Sequence, residues 1–260
     1  MFPKEYDISG KAILITGAGR GIGQGIAEVL AEAGAEIALN ALTNRFVENT
    51  AREIAMASGS NVVPMLADVT KTHEVNQLIE KVLNEFGRLD VLVNCLGDAI
   101  SQPLVKVSDD ATIPISDEDL KKIIDINLTA AILCTRAAGE YFLKQRKGKI
   151  INISSVTAGR GGSGLVIYTL AKSAIVGFTR SQALEWISYN IQINSIAPGL
   201  FPDIQRGQVP ASSIEALTKR IPIGRTGMVR EVGLLALYLA SPASDYMTGQ
   251  TIFLDGGMTL

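Results

Sequence analysis

Seven short apolar runs, alternating with longer segments of helical periodicity, set the strongest limit on what this chain can fold into. The runs are residues 12–15, 36–39, 62–66, 90–93, 149–153, 191–197 and 251–254. They are nearly continuous rather than alternating, which is typical of strands covered on both faces in a parallel sheet. Between the first two runs, Ile22, Ile26 and Val29 follow the spacing of an amphipathic helix. The order predicts an α/β fold, a single-domain Rossmann-like doubly wound parallel sheet flanked by helices on both faces.

One domain covering residues 1–260 is predicted, because no linker, low-complexity tract or internal repeat interrupts the alternation. Long helices are expected around residues 117–146 and 165–188. Two stretches depart from the pattern: an extended link at residues 98–114, and a Pro- and Gly-punctuated stretch at residues 198–227 that is typical of a mobile flap. Loops of this length in a compact domain are often functional.

Composition excludes several classes of function. The 260 residues carry 24 basic and 26 acidic side chains, a formal net charge of -2, without a basic run that would fit a nucleic-acid backbone. Two cysteines, Cys95 and Cys134, are too few for a disulfide framework and indicate free thiols in a reducing compartment. With His73 as the only histidine, no metal-ligand cluster is expected. The N-terminus lacks a signal-peptide pattern and no apolar run is long enough to cross a bilayer, so the sequence predicts a cytoplasmic protein without a nucleic-acid or membrane partner.

A glycine-rich turn follows the first apolar run and leads directly into a helical segment. Gly17, Gly21 and Gly23 follow the spacing Gly-x-x-x-Gly-x-Gly, and Arg20 lies inside the turn. The N–H groups and the dipole at the start of the next helix would face one point, an arrangement that suits a pyrophosphate. Glycines that serve tight packing alone are the alternative interpretation. The position after the first strand favours dinucleotide binding.

The end of the second run favours NADP over NAD. A carboxylate at this position would bind an adenosine ribose and repel a 2′-phosphate. Residues 39–45 contain no acidic side chain and include Asn40 and Arg45. Arg20 places a cation near the same ribose, although both arginines are equally compatible with solvated surface charges. NADP is therefore the predicted cofactor, with NAD as the alternative.

A tyrosine and a lysine four residues apart, Tyr168 and Lys172, lie near the start of the helix expected at residues 165–188 and share one of its faces. A phenol with a pKa of about 10 is a poor acid or base near neutral pH, and an adjacent ammonium would lower that pKa. The preceding strand ends in Ser154 and Ser155, at the sheet edge where α/β folds bind their ligands. Together these residues predict a catalytic centre.

Eight motifs, taken in order, resemble those of the short-chain dehydrogenase/reductase family over essentially the whole chain. They are the glycine turn of residues 16–23; Asp68-Val69; Asn94-Cys95-Leu96-Gly97; Asn127; Ser155; Tyr168 with Lys172; Pro198-Gly199; and Asp255-Gly256-Gly257. The resemblance implies an NADP-dependent oxidoreductase that transfers hydride between nicotinamide and an alcohol/carbonyl substrate. Within the family the chain is similar to the 3-oxoacyl-carrier-protein reductase type, with a gluconate or sugar dehydrogenase as the alternative. A non-catalytic dinucleotide sensor is the competing class.

The same resemblance implies four catalytic residues. Tyr168 would be the general acid in reduction and the base in oxidation, while Ser155 would hydrogen-bond the substrate oxygen. Ser155 is preferred to Ser154 because its distance from Tyr168 along the chain is similar to the usual spacing in the family. Lys172 would lower the tyrosine pKa and hold the nicotinamide ribose. Asn127 would retain a water that relays protons to Lys172.

A larger set of residues is predicted to bind the cofactor. By the resemblance, Asp68 would meet the adenine, and Asn94 with Gly97 would flank the adenosine half. The predicted set is Gly17, Arg20, Gly21, Ile22, Gly23, Asn40, Asp68, Val69, Asn94, Gly97, Tyr168, Lys172, Pro198 and Gly199.

Some residues depart from the family pattern. Cys95 and Leu96 stand where the family commonly has asparagine and alanine, which favours a changed packing layer over a redox thiol. Residues 200–203 lack the threonine that many relatives have after Pro-Gly. The substrate pocket is expected to draw on residues 157–165 and 200–225. The resemblance, together with an apolar content of 47%, predicts a homotetramer with helices packed between subunits.

Overall fold

Seven parallel strands form one sheet in the part of the chain that the computed structural model describes, which comprises residues 3–108, 111–202 and 217–260. The sheet strands are β1 (Ala12–Ile15), β2 (Glu36–Ala41), β3 (Val62–Leu66), β4 (Val91–Asn94), β7 (Gly148–Ile153), β8 (Ile191–Pro198) and β9 (Thr251–Leu254). Two further strands, β5 (Val105–Ser108) and β6 (Ala111–Pro114), pair with each other as an antiparallel hairpin. The helices are α1 (Gly21–Glu32), α2 (Asn44–Ser58), α3 (Thr72–Phe86), α4 (Asp117–Ile124), α5 (Ala130–Gln145), α6 (Thr157–Arg160), α7 (Val166–Trp186) and α8 (Val229–Ala240).

The strand order β3-β2-β1-β4-β7-β8-β9 places β1 between β2 and β4. Ile15, at the carboxyl end of β1, pairs with Leu39 of β2 and with Val93 of β4. The chain therefore adds β2 and β3 on one side of β1 and the remaining sheet strands on the other. Open α/β sheets bind their ligands outside the carboxyl ends of the strands at such a switch point.

Successive residues of each strand face opposite sides of the sheet, and both sides are covered. Ile13 and Ile15 belong to a core shared with α1, α2 and α8, whereas Leu14 belongs to a second core shared with α3 and α5. All three side chains are fully buried. Burial on both faces explains why the strands form continuous apolar runs in the sequence. The predicted doubly wound parallel sheet is confirmed.

The structure changes several of the predicted elements. β2 continues to Ala41, beyond the run predicted at residues 36–39. The extended link predicted at residues 98–114 contains the β5–β6 hairpin, whose described side chains are all exposed. The helix predicted at residues 117–146 is two helices, α4 and α5, joined by a π-helical turn at Asp125–Thr129. Residues 203–216 of the predicted flap lie outside the described part of the chain, as do residues 109 and 110.

None of the described helices is long and apolar enough to cross a membrane. Nor do the described residues include a group of three or more His, Cys, Asp or Glu side chains that could hold a metal ion. Cys95 and Cys134 are free thiols. Burial raises the pKa of each to about 12, so both are protonated and poorly nucleophilic at neutral pH.

A buried polar network lies on one face of the sheet, near its carboxyl edge. Asn94 on β4 donates to the hydroxyl of Thr135 on α5 at 3.0 Å and to the side-chain oxygen of Asn152 on β7 at 2.8 Å. Asn152 donates in turn to the hydroxyl of Thr179 on α7 at 2.9 Å. All four side chains are buried. These hydrogen bonds tie α5 and α7, which pack on the same face of the sheet, to β4 and β7.

Replacing Asn152 by leucine is expected to lower the free energy of unfolding by about 3 kcal/mol, because the amide of Asn94 and the hydroxyl of Thr179 each lose a buried partner. Urea denaturation followed by circular dichroism measures the change. Asn49→Leu, on the exposed surface of α2, is the matched control and is expected to change stability by less than about 0.5 kcal/mol. Equal effects of the two substitutions would contradict a stabilising role for the network.

Candidate active site

Two adjoining cavities lie at the carboxyl edge of the sheet and share Gly17, Arg20 and Gly97 in their walls. The first, of about 250 Å³, is lined by Tyr168 and is called the Tyr168 cavity. The second, of about 350 Å³, is lined by Asp68 and is called the Asp68 cavity. The shared walls make one continuous cleft over the switch point of the sheet. An elongated ligand fits this cleft with one end near Tyr168 and the other near Asp68.

The turn between β1 and α1 has a backbone that requires glycine. Gly17 has a φ of 64°, and a Cβ there would lie 2.8 Å from the Cα of Leu96. A Cβ on Gly23 would lie 2.8 Å from the carbonyl oxygen of Gly17, so any side chain would push α1 away from the turn. The first N–H groups of a helix have no acceptor within it, and Gly21, Ile22 and Gly23 at this helix start all line the Tyr168 cavity. These residues fit the phosphates of a dinucleotide.

Thr16 joins the carboxyl ends of β1 and β4. Its hydroxyl oxygen accepts hydrogen bonds from the N–H groups of Cys95 at 3.1 Å and Leu96 at 3.2 Å. The hydroxyl also donates to the carbonyl oxygen of Val93 at 3.5 Å. These bonds hold the segment after β4 against the glycine turn. Thr16 was part of the matched motif but was not predicted as a site residue; its place directly before the turn was the available signal.

Tyr168 and Lys172 lie one turn apart on α7, as their spacing predicted, and both line the Tyr168 cavity. The Nζ atom of Lys172 is 5.9 Å from the centroid of the Tyr168 ring. The same atom donates to the carbonyl oxygen of Ile153 at 3.0 Å. Lys172 is only 3% exposed. The lysine is therefore held between the end of β7 and the tyrosine.

Of the two serines after β7, Ser155 has the hydroxyl that can act on a ligand. The hydroxyl of Ser154 donates to the backbone carbonyl of Lys172 at 2.7 Å. The hydroxyl oxygen of Ser155 accepts hydrogen bonds from the N–H and the hydroxyl of Thr157, each at 3.2 Å. A serine that accepts in this way still has its own proton to donate. Ser155 also hydrogen-bonds Tyr168, so the two hydroxyls lie side by side.

Burial raises the pKa of Tyr168, the hydrogen bond with Ser155 opposes this rise, and the charge of Asp98 adds to it. The lowered tyrosine pKa that was expected from Lys172 is therefore corrected to a raised one. Burial also acts on the lysine, lowering the pKa of Lys172 to about 8. Desolvation disfavours the charged form of each group, and it is the largest cause of both pKa shifts. At neutral pH the phenol of Tyr168 is protonated and is suited to donating a proton.

Asn127 lies in the π-helical turn between α4 and α5 and is buried. Its side-chain nitrogen donates to the carbonyl oxygens of Asp98 at 3.1 Å and Ile123 at 3.0 Å, and its side-chain oxygen accepts from the N–H of Asp98 at 3.0 Å. A Cβ on Gly97 would lie 2.7 Å from Nζ of Lys172 and 2.9 Å from the Asn127 oxygen. Asn127 lines neither cavity, and it holds the segment after β4 close to Lys172.

The Asp68 cavity receives no acidic side chain from the end of β2. The residues that β2 and its following loop contribute are Asn40 and residues 41–43. The Asn40 side chain donates to the carbonyl oxygens of Met65 and Ala67, each at 3.2 Å, and so holds the end of β3 beside β2. A 2′-phosphate at this place would meet no negative charge from β2.

Asp68 and Val69 line the opposite wall of the same cavity. The Asp68 carboxylate accepts hydrogen bonds from the N–H and hydroxyl of Thr70 at 3.0 and 2.6 Å, and lies 3.1 Å from Nζ of Lys71. Phe46, near the start of α2, adds an aromatic surface that sequence reasoning missed. No motif marks Phe46, because its place in the cavity depends on how α2 packs against β2.

Asn94 was predicted to bind the cofactor, and its side chain lies behind the wall of the cleft. Its side chain is buried in the network with Thr135 and Asn152, and Asn94 lines neither cavity. Its amide joins neighbouring elements instead of facing the cleft. The other predicted members all line at least one cavity: Gly17, Arg20, Gly21, Ile22, Gly23, Asn40, Asp68, Val69, Gly97, Tyr168, Lys172, Pro198 and Gly199.

Several apolar residues of the Tyr168 cavity were not predicted as site residues. Cys95, Ala99 and Phe201 line this cavity. Phe201 belongs to the segment predicted at residues 200–225, whereas residues 157–165 contribute nothing to the described wall of the cavity. The departures from the family pattern after β4 and β8 thus lie in the cavity wall.

Comparisons with known proteins cover nearly the whole chain. A family model described as enoyl-(acyl carrier protein) reductase matches residues 17–259. The 3-oxoacyl-[acyl-carrier-protein] reductase of Thermotoga maritima is 34% identical over 253 residues, which cover 97% of this chain and 99% of that protein. The crystal structure of an NADPH-dependent 3-quinuclidinone reductase from Rhodotorula rubra has a TM-score of 0.87 at 31% identity, covering 99% of this chain and 96% of that one. A protein from Agrobacterium tumefaciens, provisionally described as a gluconate dehydrogenase, has a TM-score of 0.89 at 33% identity, with 99% of each chain covered.

Proposed function

Because the chain belongs to the short-chain dehydrogenase/reductase family, we propose that it is an NADP-dependent carbonyl reductase of the 3-oxoacyl type. Members of this family are NAD(P)-dependent oxidoreductases that act on small molecules, and this chain is one of them. One observation carries the more specific proposal. Ser155, Tyr168 and Lys172 converge in a cavity that is continuous with the glycine turn.

Two hydroxyl groups are placed to act on the oxygen of a carbonyl substrate. Tyr168 is protonated at neutral pH because burial raises its pKa, so its hydroxyl donates a proton to the carbonyl oxygen during reduction. Ser155 donates a hydrogen bond to the same oxygen as negative charge develops there. A bound nicotinamide supplies the hydride that reduces the carbonyl carbon. In the oxidation direction Tyr168 takes the proton from the alcohol instead.

Lys172 and Asn127 support this chemistry from behind the tyrosine. Burial lowers the pKa of Lys172 to about 8, so the lysine is mostly protonated at neutral pH and can restore the proton that Tyr168 gives up. Asn127 shapes the Asp98 segment next to Lys172 through its three backbone hydrogen bonds. The water relay from Asn127 to Lys172 remains a prediction.

NADP is favoured over NAD by the charges around the Asp68 cavity. Arg20 borders both cavities, and β2 contributes only uncharged side chains at its end. A cation beside this cavity favours the additional phosphate of NADP, and the end of β2 contributes no carboxylate that would repel that phosphate.

A 3-oxoacyl-type substrate is favoured over a sugar by the wall of the Tyr168 cavity. Ala99, Ile153 and Phe201 give the cavity an apolar side, next to its polar groups, that can hold an aliphatic substituent. The relatives named 3-oxoacyl-[acyl-carrier-protein] reductase support the same choice. The gluconate-type likeness supports the alternative, an oxidation of sugar acids.

A substrate panel run with both NADPH and NADH tests the proposal. We expect NADPH-dependent reduction of 3-oxoacyl thioesters to exceed the oxidation of sugars and sugar acids. Turnover of sugar acids alone would favour the gluconate type. A protein that binds cofactor but turns over nothing in the panel would be a sensor, and the proposed reaction would be wrong.

The cofactor preference is tested further with Arg20→Ala. Loss of a charge-assisted contact to the 2′-phosphate is expected to weaken NADPH binding about ten-fold or more and NADH binding by less than about two-fold. Fluorescence titration of the two cofactors measures both changes. Arg52→Ala, at an exposed position on α2, is the matched control and is expected to alter neither affinity. An equal loss for both cofactors would contradict a contact with the 2′-phosphate.

Assembly as a homotetramer is part of the same proposal. On and just after α7, Leu170, Leu184 and Ile187 are more than half exposed, and burying them between subunits would remove this apolar surface from water. Analytical ultracentrifugation measures the oligomeric state directly.

A further inference from the structure

A third, smaller cavity adjoins the Tyr168 cavity at Phe201. It has a volume of about 100 Å³ and is lined by the aliphatic side chains of Leu200, Ile221, Ile223 and Leu254; it is called here the Ile221 cavity. Phe201 lines both the Tyr168 cavity and the Ile221 cavity. Its ring is therefore the wall between the reactive end of the cleft and an apolar space beyond it.

The Phe201 ring fits in this position because Gly227 has no side chain. A Cβ on Gly227 would lie 2.2 Å from one ring carbon of Phe201 and 2.4 Å from another. The N–H of Gly227 donates to the carbonyl oxygen of Leu200 at 2.9 Å, which ties the two segments together. No other residue type at position 227 would leave the ring where it is.

The walls of the Ile221 cavity beyond Phe201 are also fixed. Ile223 donates its N–H to the carbonyl oxygen of Gly256 at 3.1 Å. Arg225 and Glu231, which line the same cavity, form a two-pronged ion pair with contacts of 2.9 and 2.6 Å. The space is thus lined by aliphatic side chains, with the Arg225–Glu231 ion pair in its wall.

We propose that Phe201 is a specificity-determining residue, which limits the length of the aliphatic substituent on the carbonyl substrate by separating the Tyr168 cavity from the Ile221 cavity. The proposal rests on the proposed function, since it assigns the substrate's apolar chain to the Phe201 side of the cleft. Removing the ring joins the two cavities, and the aliphatic lining of the second then receives additional methylene groups. Each buried methylene strengthens binding about four-fold.

Calorimetric titration of straight-chain methyl ketones, from butanone to decanone, tests the proposal in the presence of NADP⁺. For the wild type, affinity is expected to rise with chain length and then stop rising once the chain meets the ring. For Phe201→Ala, the rise of about four-fold per methylene is expected to continue for about two more methylenes. Phe201→Leu, which retains part of the side chain, is expected to give an intermediate limit on ketone chain length. It replaces the alanine variant if that variant does not fold.

The matched control is Phe253→Ala, which removes a phenylalanine ring that lines neither of the two cavities and should leave the wild-type length limit unchanged. An unchanged limit in both Phe201 variants would overturn the proposal. So would a loss of NADP⁺ affinity without a change in chain-length dependence, which would assign Phe201 to the cofactor. Absence of ketone binding by every protein would overturn it as well. Because binding is measured without turnover, a wild type that binds ketones with the expected limit but reduces none of them contradicts the proposed reaction alone.

Discussion

Replacing Tyr168 by phenylalanine is expected to lower kcat for carbonyl reduction by about 100- to 10,000-fold while leaving NADPH affinity within about two-fold of wild type. The ring stays, so the buried wall of the Tyr168 cavity is preserved. What disappears is the hydroxyl that burial keeps protonated and that lies beside Ser155. Steady-state kinetics on the best substrate of the panel measure kcat, and fluorescence titration measures the affinity.

Tyr246→Phe is the matched control, since Tyr246 is fully exposed and the same atom is removed there. This variant should retain wild-type kcat. A Tyr168→Phe enzyme that keeps more than about a tenth of the wild-type kcat would show that another group donates the proton. A parallel loss of NADPH affinity and kcat would instead indicate that the hydroxyl positions the cofactor.

The parallel sheet was predictable from the sequence because burial on both faces makes inner strands such as β1 and β4 continuously apolar. The β5–β6 hairpin has no such continuous apolar run. Its two strands are only four residues long and Val105, Val107 and Ile113 are exposed, so no buried apolar run indicates them. The π-helical turn at Asp125–Thr129 was equally hidden, because its apolar residues continue the helical pattern on either side. Hydrophobic periodicity cannot predict elements, such as this hairpin and this turn, that are stabilised by backbone hydrogen bonds alone.

The candidate site was predictable where chain order alone decides position. Gly17, Tyr168 and Lys172 follow or precede strands that end at one edge, so their convergence follows from the topology. Asn94 lies at the same edge, but side-chain partners on two neighbouring elements turn its amide into the protein. Phe201 depends on Gly227, a residue far along the chain that meets it only in the folded state. Contacts of this kind carry no local sequence signal.

Replacing Lys172 by methionine is expected to stabilise the protein and to remove its activity together. Burial lowers the pKa of Lys172 from 10.5 to about 8, so keeping this ammonium charged at pH 7 costs the folded state about 3 kcal/mol. Methionine has a similar length without the charge. It gives up the hydrogen bond to Ile153, worth about 1 kcal/mol, so the net gain in the free energy of unfolding at pH 7 is about 2 kcal/mol. The kcat is expected to fall at least about 100-fold, because Tyr168 loses its proton donor.

The pH dependence separates this explanation from a general improvement in packing. Between pH 8 and 10.5 the unfolded wild-type chain holds the Lys172 proton and the folded protein releases it. The free energy of unfolding of the wild type therefore rises with pH across this window. Below pH 8 the destabilisation caused by the buried ammonium is present in full. The advantage of Lys172→Met, measured by urea denaturation at several pH values, should shrink toward zero or below by about pH 10.5. Lys81→Met, at an exposed position on α3, should follow the wild type throughout. An advantage that stays constant from pH 7 to 10.5 would show that the buried charge is not its cause.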